Sequence, residues 1–90
     1  MYKSDLIDAI ANRTLKKDAD VKIILDAATE IIRERLIAGE SVTLQGFGTF
    51  EVRAQAARIA RNPKTGEPVE VPEKKAPAFR AGRALKDALN

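Results

Sequence analysis

The sequence predicts an α+β fold: two N-terminal helices, a three-stranded antiparallel sheet carrying a long protruding β-hairpin, and a short C-terminal helix. Three observations predict it. Apolar residues recur at helical spacing through the first forty residues, and the period then switches to alternation between Val42 and Arg53. From Arg53 to Glu67 Ile59 is the only large apolar side chain, so this stretch has almost nothing to place in a core.

Ser4 reads as the N-cap of the first helix, with Asp5 favoured by the helix dipole and Leu6, Ile7, Ile10 and Ala11 at helical spacing. This helix is expected to run about ten residues, to near Arg13. Lys16-Lys17-Asp18-Ala19-Asp20 breaks the pattern, and either aspartate is suited to cap a second helix. That helix, of about eighteen residues, carries Val21, Ile24, Leu25, Ala28, Ile31, Ile32 and Leu36 on one stripe, with Gly39 as its stop. Ile23, Ala27 and Ile37 widen the stripe, which points to more than one packing neighbour.

Val42 and Leu44 alternate with Ser41, Thr43 and Gln45. After Gly46-Phe47-Gly48, Phe50 and Val52 alternate with Thr49, Glu51 and Arg53. This spells strand, turn, strand. Val69 and Val71 lead back through Pro72 to Ala76-Pro77-Ala78-Phe79, a third strand that its prolines confine to an edge or an unpaired stretch. The last residues, from Arg80 to Asn90, are helical by propensity, with Leu85 and Leu89 four apart.

The intervening segment reads as a two-stranded arm at about residues 53–73. Asn62, Pro63, Thr65 and Gly66 form its turn, and Gly66 is able to supply a positive φ. Arg53, Arg58, Arg61 and Lys64 line the outgoing limb and tip with no acid between Arg53 and Lys64. Fully extended, Arg53 to Asn62 spans roughly 30 Å at ~3.3 Å per residue, enough to cross a duplex. An isolated hairpin is marginal in water, and a basic one is expected to settle on a large polyanion, nucleic acid foremost.

Composition bounds the function. Ninety residues make one domain with little stability to spare if twenty lie outside the core, so a partner chain would help. The net charge of +3 is too small to imply DNA by itself, but its distribution is uneven. Residues 1–45 carry seven basic and eight acidic side chains, net −1, and residues 46–90 nine and five, net +4. Cysteine and histidine are absent, which removes thiolate chemistry, disulfides, the usual general base and the commonest metal ligand. Asp8, Asp18, Asp20 and Asp26 suit caps and helix surfaces, and no calcium-loop spacing occurs. No metal or cofactor is expected. With no apolar run of about 20 residues and no signal-peptide core, a cytoplasmic chain without membrane contact is expected.

Gly46-Phe47-Gly48-Thr49-Phe50, Arg61-Asn62-Pro63-Lys64-Thr65-Gly66 and Phe79-Arg80-Ala81-Gly82-Arg83-Ala84-Leu85-Lys86, at these separations, closely resemble the bacterial histone-like HU/IHF family. The resemblance covers the whole chain, including Ser4-Asp5-Leu6-Ile7. It implies an obligate intertwined dimer, with residues 1–40 as the helical dimerisation base, 41–80 as the sheet and its arm, and 81–90 as a C-terminal helix. Phe47, Phe50, Phe79, Ile32, Leu36 and Leu44 would form the dimer core. Two arms would reach round duplex DNA in the bacterial nucleoid and enter its minor groove. Architectural proteins of that class, HU itself among the standard cases, kink DNA by roughly 20–90°.

The residues implied to face DNA are Lys3, Arg53, Arg58, Arg61, Asn62, Pro63, Lys64, Lys75, Arg80, Arg83 and Lys86. Pro63, rigid and without an N–H, is suited to wedge between base pairs. A wedge of this kind favours nicked, gapped or kinked duplexes. The plainer alternatives are a turn at residues 62–66, core packing for the phenylalanines, and ordinary solvated charge for Lys16, Lys17 and Lys22. Ile59 and Ala60 stand where members often have a polar or basic residue and a glycine. Glu67, Glu70 and Glu73 make the return limb acidic, and Pro68 and Pro72 remove ladder donors. The expected function is a non-enzymatic homodimer that bends and compacts DNA with little sequence preference and takes no small-molecule substrate. A sequence-preferring bender of the IHF type is the alternative within the family, and an interaction module using its arms for β-augmentation is the alternative outside it.

Overall fold

The structure, a computed structural model, describes residues 1–90. Its elements are α1 (Lys3–Thr14), α2 (Asp18–Ile37), β1 (Val42–Leu44), β2 (Gly48–Gln55), β3 (Arg58–Arg61), β4 (Pro68–Val71), β5 (Lys74–Ala81) and α3 (Arg83–Leu89). The α+β order is the expected one. The chain groups into two compact units, Met1–Glu34 and Arg35–Asn90, and α2 runs continuously through the division.

In the first unit, α1 starts two residues earlier than Ser4 as N-cap would have set it. Tyr2 occupies the N-cap position, and its backbone N–H donates to Asp5 Oδ2 at 2.8 Å. Asp5, expected to act through the dipole alone, therefore closes the helix end itself. Leu15 ends α1 in the left-handed conformation at φ 60°. Neither Asp18 nor Asp20 caps α2. The first helical hydrogen bond, Val21 N–H to the Lys17 carbonyl at 3.1 Å, puts both aspartates inside the first turn, where the dipole still favours them. At the other end, Gly39 and Glu40 donate back to the Leu36 and Arg35 carbonyls at 3.0 and 2.9 Å, so Gly39 is the expected stop.

Ile7, Ala11 and Val21 form the buried core of this unit, with Ile10 and Leu25 packed against it. Beside them an apolar groove of about 380 Å³, lined by Ile10, Val21, Ile24, Leu25 and Ala28 among others, is left open. Asp26 of α2 accepts hydrogen bonds from Lys3 of α1 and from Lys22 of its own helix, the latter at 3.3 Å.

In the second unit, β1, β2 and β5 form an antiparallel sheet in that order, and β3 and β4 form a separate two-stranded ribbon. β2 pairs with β5 from Gly48↔Ala81 through Phe50↔Phe79 to Gln55↔Lys74, a strand longer at both ends than Ala76–Phe79. Pro77 is accommodated because β5 is an edge strand. The arm is therefore not one uninterrupted hairpin. Its ladder breaks at Ala56-Ala57 and Pro72-Glu73, where Pro72 offers no N–H, and resumes as β3–β4. α3 begins at Arg83 with Gly82 as N-cap, so Arg80 and Ala81, assigned by propensity to the C-terminal helix, belong to β5. Pairing with Thr49 and Gly48 outweighs their helical preference.

Phe79 stacks in tilted geometry on both Phe47 and Phe50, with ring centroids 5.4 and 5.1 Å apart. Gly48 allows this approach. A Cβ there would lie 2.5 Å from Phe79 Cζ and 2.7 Å from the Arg80 carbonyl oxygen. Gly48→Ala should accordingly cost about 1–3 kcal/mol through overpacking. Urea unfolding measures this, and an unchanged midpoint would show that the ring and strand give way freely.

A second prediction concerns Asp26. The hydrogen bond from Lys3, then that from Lys22, holds its carboxyl below the ordinary carboxylate range. With the folded value below the unfolded one, the stabilisation is fully present above about pH 4 and is lost as pH falls through the folded value. Asp8 has the opposite sign: the hydrogen bond and charge of Asp18 hold it above the ordinary range, so its contribution fades as pH rises. Asp26→Asn should lower the melting temperature at pH 7, and the gap to wild type should close below about pH 4. A gap independent of pH would assign the loss to something other than the two lysines.

Candidate nucleic-acid interface

Side chains alternate across a strand, so the register sorts the sheet into two faces. Val42, Leu44, Phe50, Val52, Ala54, Pro77, Phe79 and Ala81 share one of them. Thr43, Thr49, Glu51, Arg53, Gln55, Lys74, Ala76, Ala78 and Arg80 share the other. The first is the apolar face bearing the phenylalanine contacts. The second is polar and net positive, and Ala76 and Ala78 leave it low along β5, between Lys74 and Arg80.

Arg53 and Arg80, both in the expected contact set, lie together on this polar face. Lys75 does not join them. It pairs with Ala54 and falls on the face of Pro77 and Phe79. Lys74, which the sequence argument passed over, takes the place beside Gln55 on the polar face. The parity of residues 74, 76, 78 and 80 along the strand is the sequence signal that groups Lys74 with Arg80. Thr43 and Thr49 hydrogen-bond through their hydroxyls at 3.1 Å on the same face.

The ribbon continues the basic line outward. Arg58 pairs with Val71 and Arg61 with Pro68, so the two arginines, three residues apart, point to opposite faces. Arg58 shares its face with Ala60, Val69 and Val71, whereas Arg61 shares the other with Ile59, Pro68 and Glu70. Glu70 lies directly across from Ile59, which is 73% exposed. No ion pair engages Arg58, Arg61 or Lys64.

The tip is tightly bonded. Asn62 N–H donates to the Glu67 carbonyl at 2.9 Å, and Gly66 N–H donates to the Asn62 carbonyl at 2.8 Å. The Asn62 Oδ1 accepts from Lys64 N–H at 2.9 Å, and the Thr65 Oγ1 from Glu67 N–H at 3.3 Å. Gly66 adopts φ 74°, the positive value expected of it. These bonds leave Pro63 exposed at the turn, carrying no backbone donor that would need a partner.

Other expected contacts are engaged inside the chain. Lys3 is bonded to Asp26. Arg53 donates from Nε and Nη2 to Glu51 Oε1 at 3.1 and 2.9 Å. Arg83 of α3 lies 3.8 Å from Asp87, while Lys86 of the same helix has no acidic partner. No cluster of three or more His, Cys, Asp or Glu side chains is placed to hold a metal, and no helix is long and apolar enough to cross a membrane.

This arrangement is shared with known proteins. The family model described as bacterial DNA-binding protein matches residues 1–90. DNA-binding protein HU-beta of Pseudomonas aeruginosa is 51% identical over 90 residues, covering 100% of both chains. DNA-binding protein HU of Thermotoga maritima is 49% identical over 89 residues, covering 99% of each. Among solved structures, the Anabaena HU–DNA cocrystal structure superposes with a TM-score of 0.88 at 42% identity, covering 99% of this chain and 97% of that one. With the family model matched over residues 1–90 and relatives about half identical over the full length of both chains, the chain belongs to the bacterial DNA-binding protein family of HU.

Proposed function

We propose that this protein is an architectural DNA-binding dimer whose basic arms follow the minor groove and whose Pro63 tips wedge between base pairs, bending and compacting the duplex with little sequence preference. The observation that carries the proposal is the arm: Arg58, Arg61 and Lys64 stand on a projecting ribbon with no internal counter-charge, so phosphate is the partner left to them. The kinship with proteins named for HU, one of them solved with DNA, points the same way. Arg53, Lys74 and Arg80 extend the contact onto the sheet, and Lys3, Arg83 and Lys86 add to it from the helices. Lys75 contributes at most at the root of the arm, from the opposite face. The work is done by binding and deformation rather than by covalent chemistry, in keeping with a chain that has no His and no Cys. Its place is the bacterial cytoplasm, on the nucleoid.

Dimerisation is supported by what one chain leaves uncovered. Phe47, Phe79 and Leu44 remain 46%, 41% and 44% exposed, and Ile32, Leu36 and Phe50 are only half-buried. The 9.8 kDa chain exposes 7846 Å², against roughly 5,200 Å² for a compact monomer of that mass. A second copy covering the apolar face of the sheet and the helical groove accounts for the excess. Residues 1–40 would then form the dimer's base and 41–80 its sheet and arms, with the C-terminal helix closing each protomer.

Pro63→Ala separates wedge from charge. The substitution keeps every phosphate contact, so log affinity against log salt should retain the parent slope, corresponding to a loss of roughly 10³–10⁵ between 50 and 200 mM for six to ten contacts. Bending, read by energy transfer between dyes on the DNA ends, should fall sharply, and the preference for nicked over intact duplex should shrink, because a wedge gains most where unstacking is already done. A flat salt response in the parent would remove the DNA proposal. Equal bending by both proteins would reduce Pro63 to a turn residue.

If folding and dimerisation are one event, the melting temperature rises with protein concentration. Phe47→Ala, losing roughly 3–5 kcal/mol if the partner buries that ring, should leave a largely unfolded chain by circular dichroism. A folded monomer with a concentration-independent melting temperature contradicts this assembly.

A further inference from the structure

We propose that Glu51 sets the DNA affinity of this protein by holding the Arg53 guanidinium that a phosphate must take. The inference rests on the DNA-binding proposal and adds a specific competitor within its contact surface. Among the side chains that the register places on the polar face of the sheet, Glu51 is the single carboxylate, and it stands two residues from Arg53 on the same strand. Both N–H groups that Arg53 turns to it, Nε at 3.1 Å and Nη2 at 2.9 Å, converge on one oxygen, Oε1. In the free protein two of this arginine's five N–H donors are therefore already occupied.

The geometry makes the pair exchangeable. A parallel fork, with two N–H groups meeting two oxygens, is the strong form of an arginine–oxyanion contact. Glu51 offers only one oxygen, whereas a phosphate offers two and belongs to a duplex carrying one charge per about 1.7 Å. Arg53 has further N–H donors beyond the two in use, so a phosphate is able to engage it before Glu51 lets go. Exposure orders the two groups accordingly: the Arg53 side chain is 60% exposed and that of Glu51 22%, so an incoming strand meets the guanidinium first. Once the exchange is complete, Glu51 is left as an unpaired anion close to phosphate. It must then recruit a cation, which cancels part of the counterion release that drives binding. Arg58 and Arg61 carry no such partner, so within the arm the effect falls on its root alone.

The test is a double-mutant cycle with wild type, Glu51→Gln, Arg53→Ala and the double variant, each titrated onto one dye-labelled duplex by anisotropy at several salt concentrations. Glu51→Gln keeps the side chain's size, and thermal melting of all four proteins reports whether they fold alike. Glu51→Thr, a strand-favouring residue, replaces it should the glutamine variant melt early. Glu51→Gln should bind about 2- to 30-fold tighter at low salt, two exposed pairs being released per dimer, with a salt slope steeper by up to about 2. In the Arg53→Ala background the gain should vanish. Affinity that is unchanged or weaker in Glu51→Gln would overturn the proposal and make Glu51 a spectator or a support for Arg53. A gain that persists without Arg53 would overturn it as well, assigning the effect to net charge alone. Wild type that fails to bind the duplex refutes the DNA-binding proposal itself, an outcome distinct from either.

Discussion

The contact between Phe79 and the rings of Phe47 and Phe50 is the one on which the second unit depends. Phe79 sits on β5 opposite Phe50 on β2, so the stack fixes the register of the two long strands that launch the arm. Gly48 has no side chain because that ring and the neighbouring strand fill the space. The cluster is nevertheless only half covered by its own chain. Fully burying a phenylalanine is worth roughly 1.5–3 kcal/mol, and rings left more than two-fifths exposed realise only part of that. A chain of this length that commits residues to a solvent-borne ribbon cannot cover its own apolar face. On the dimer proposal, arm and dimer would be two consequences of one shortage.

Charge is organised with equal economy. Among the cations expected to face DNA, Lys3, Arg53 and Arg83 have an internal carboxylate partner, and Arg58, Arg61, Lys64, Lys75, Arg80 and Lys86 have none. Of the unpaired ones, Arg58, Arg61 and Lys64 belong to the outer ribbon and its tip. Exposed ion pairs contribute little to stability, about 0–1 kcal/mol, so the paired residues are not held back for the sake of the fold. They still differ from the free ones in what binding costs, because a paired cation must give up a bond before it takes a phosphate. On the DNA proposal the arm tips engage without such a cost, and Arg53 follows by exchange.

Much of this was legible in the residues because it rests on local rules. Alternation from Val42 to Arg53 gave β1 and β2, the proline content of residues 72–77 gave an edge strand, and Asn62, Thr65 and Gly66 each perform the turn chemistry their side chains or backbone allow. The differences share a cause, which is that particular partners, rather than residue type alone, decided the outcome. Ser4 is a good cap by type, but Asp5 reaches the Tyr2 N–H and moves the boundary. Arg80 and Ala81 favour a helix locally, yet pairing with Thr49 and Gly48 keeps them in β5. Only the register determines that Lys74, rather than Lys75, shares a face with Arg53. The bonds of Lys3 to Asp26 and Arg53 to Glu51 could not be read from spacing, since one joins two helices and the other depends on rotamers.

The departures on the return limb acquire a structural meaning from the ribbon's register. β3 carries Arg58 and Arg61, while β4 carries Glu70 and begins at Pro68, so the two long edges of the ribbon differ in charge as well as in hydrogen-bonding capacity. Across the ribbon, one face sets Arg58 among Ala60, Val69 and Val71, and the other sets Arg61 and Glu70 beside Ile59 and Pro68. The first face carries one cation among apolar side chains, and the second is net neutral, with Arg61 and Glu70 offsetting each other. A minor groove presents two phosphate rails flanking a floor of base edges and sugars. A ribbon with like charge on both edges would sit equally well against either rail; this one would not, since Glu70 and Glu67 would face phosphate wherever the β4 edge approached one. The β3 edge is therefore the side that meets the nearer rail, and Ile59 and Pro68 give the adjoining face an affinity for sugar rather than phosphate. On the DNA proposal, this asymmetry would fix which way the arm rolls as it enters the groove, and with it the direction from which Pro63 would reach a base step.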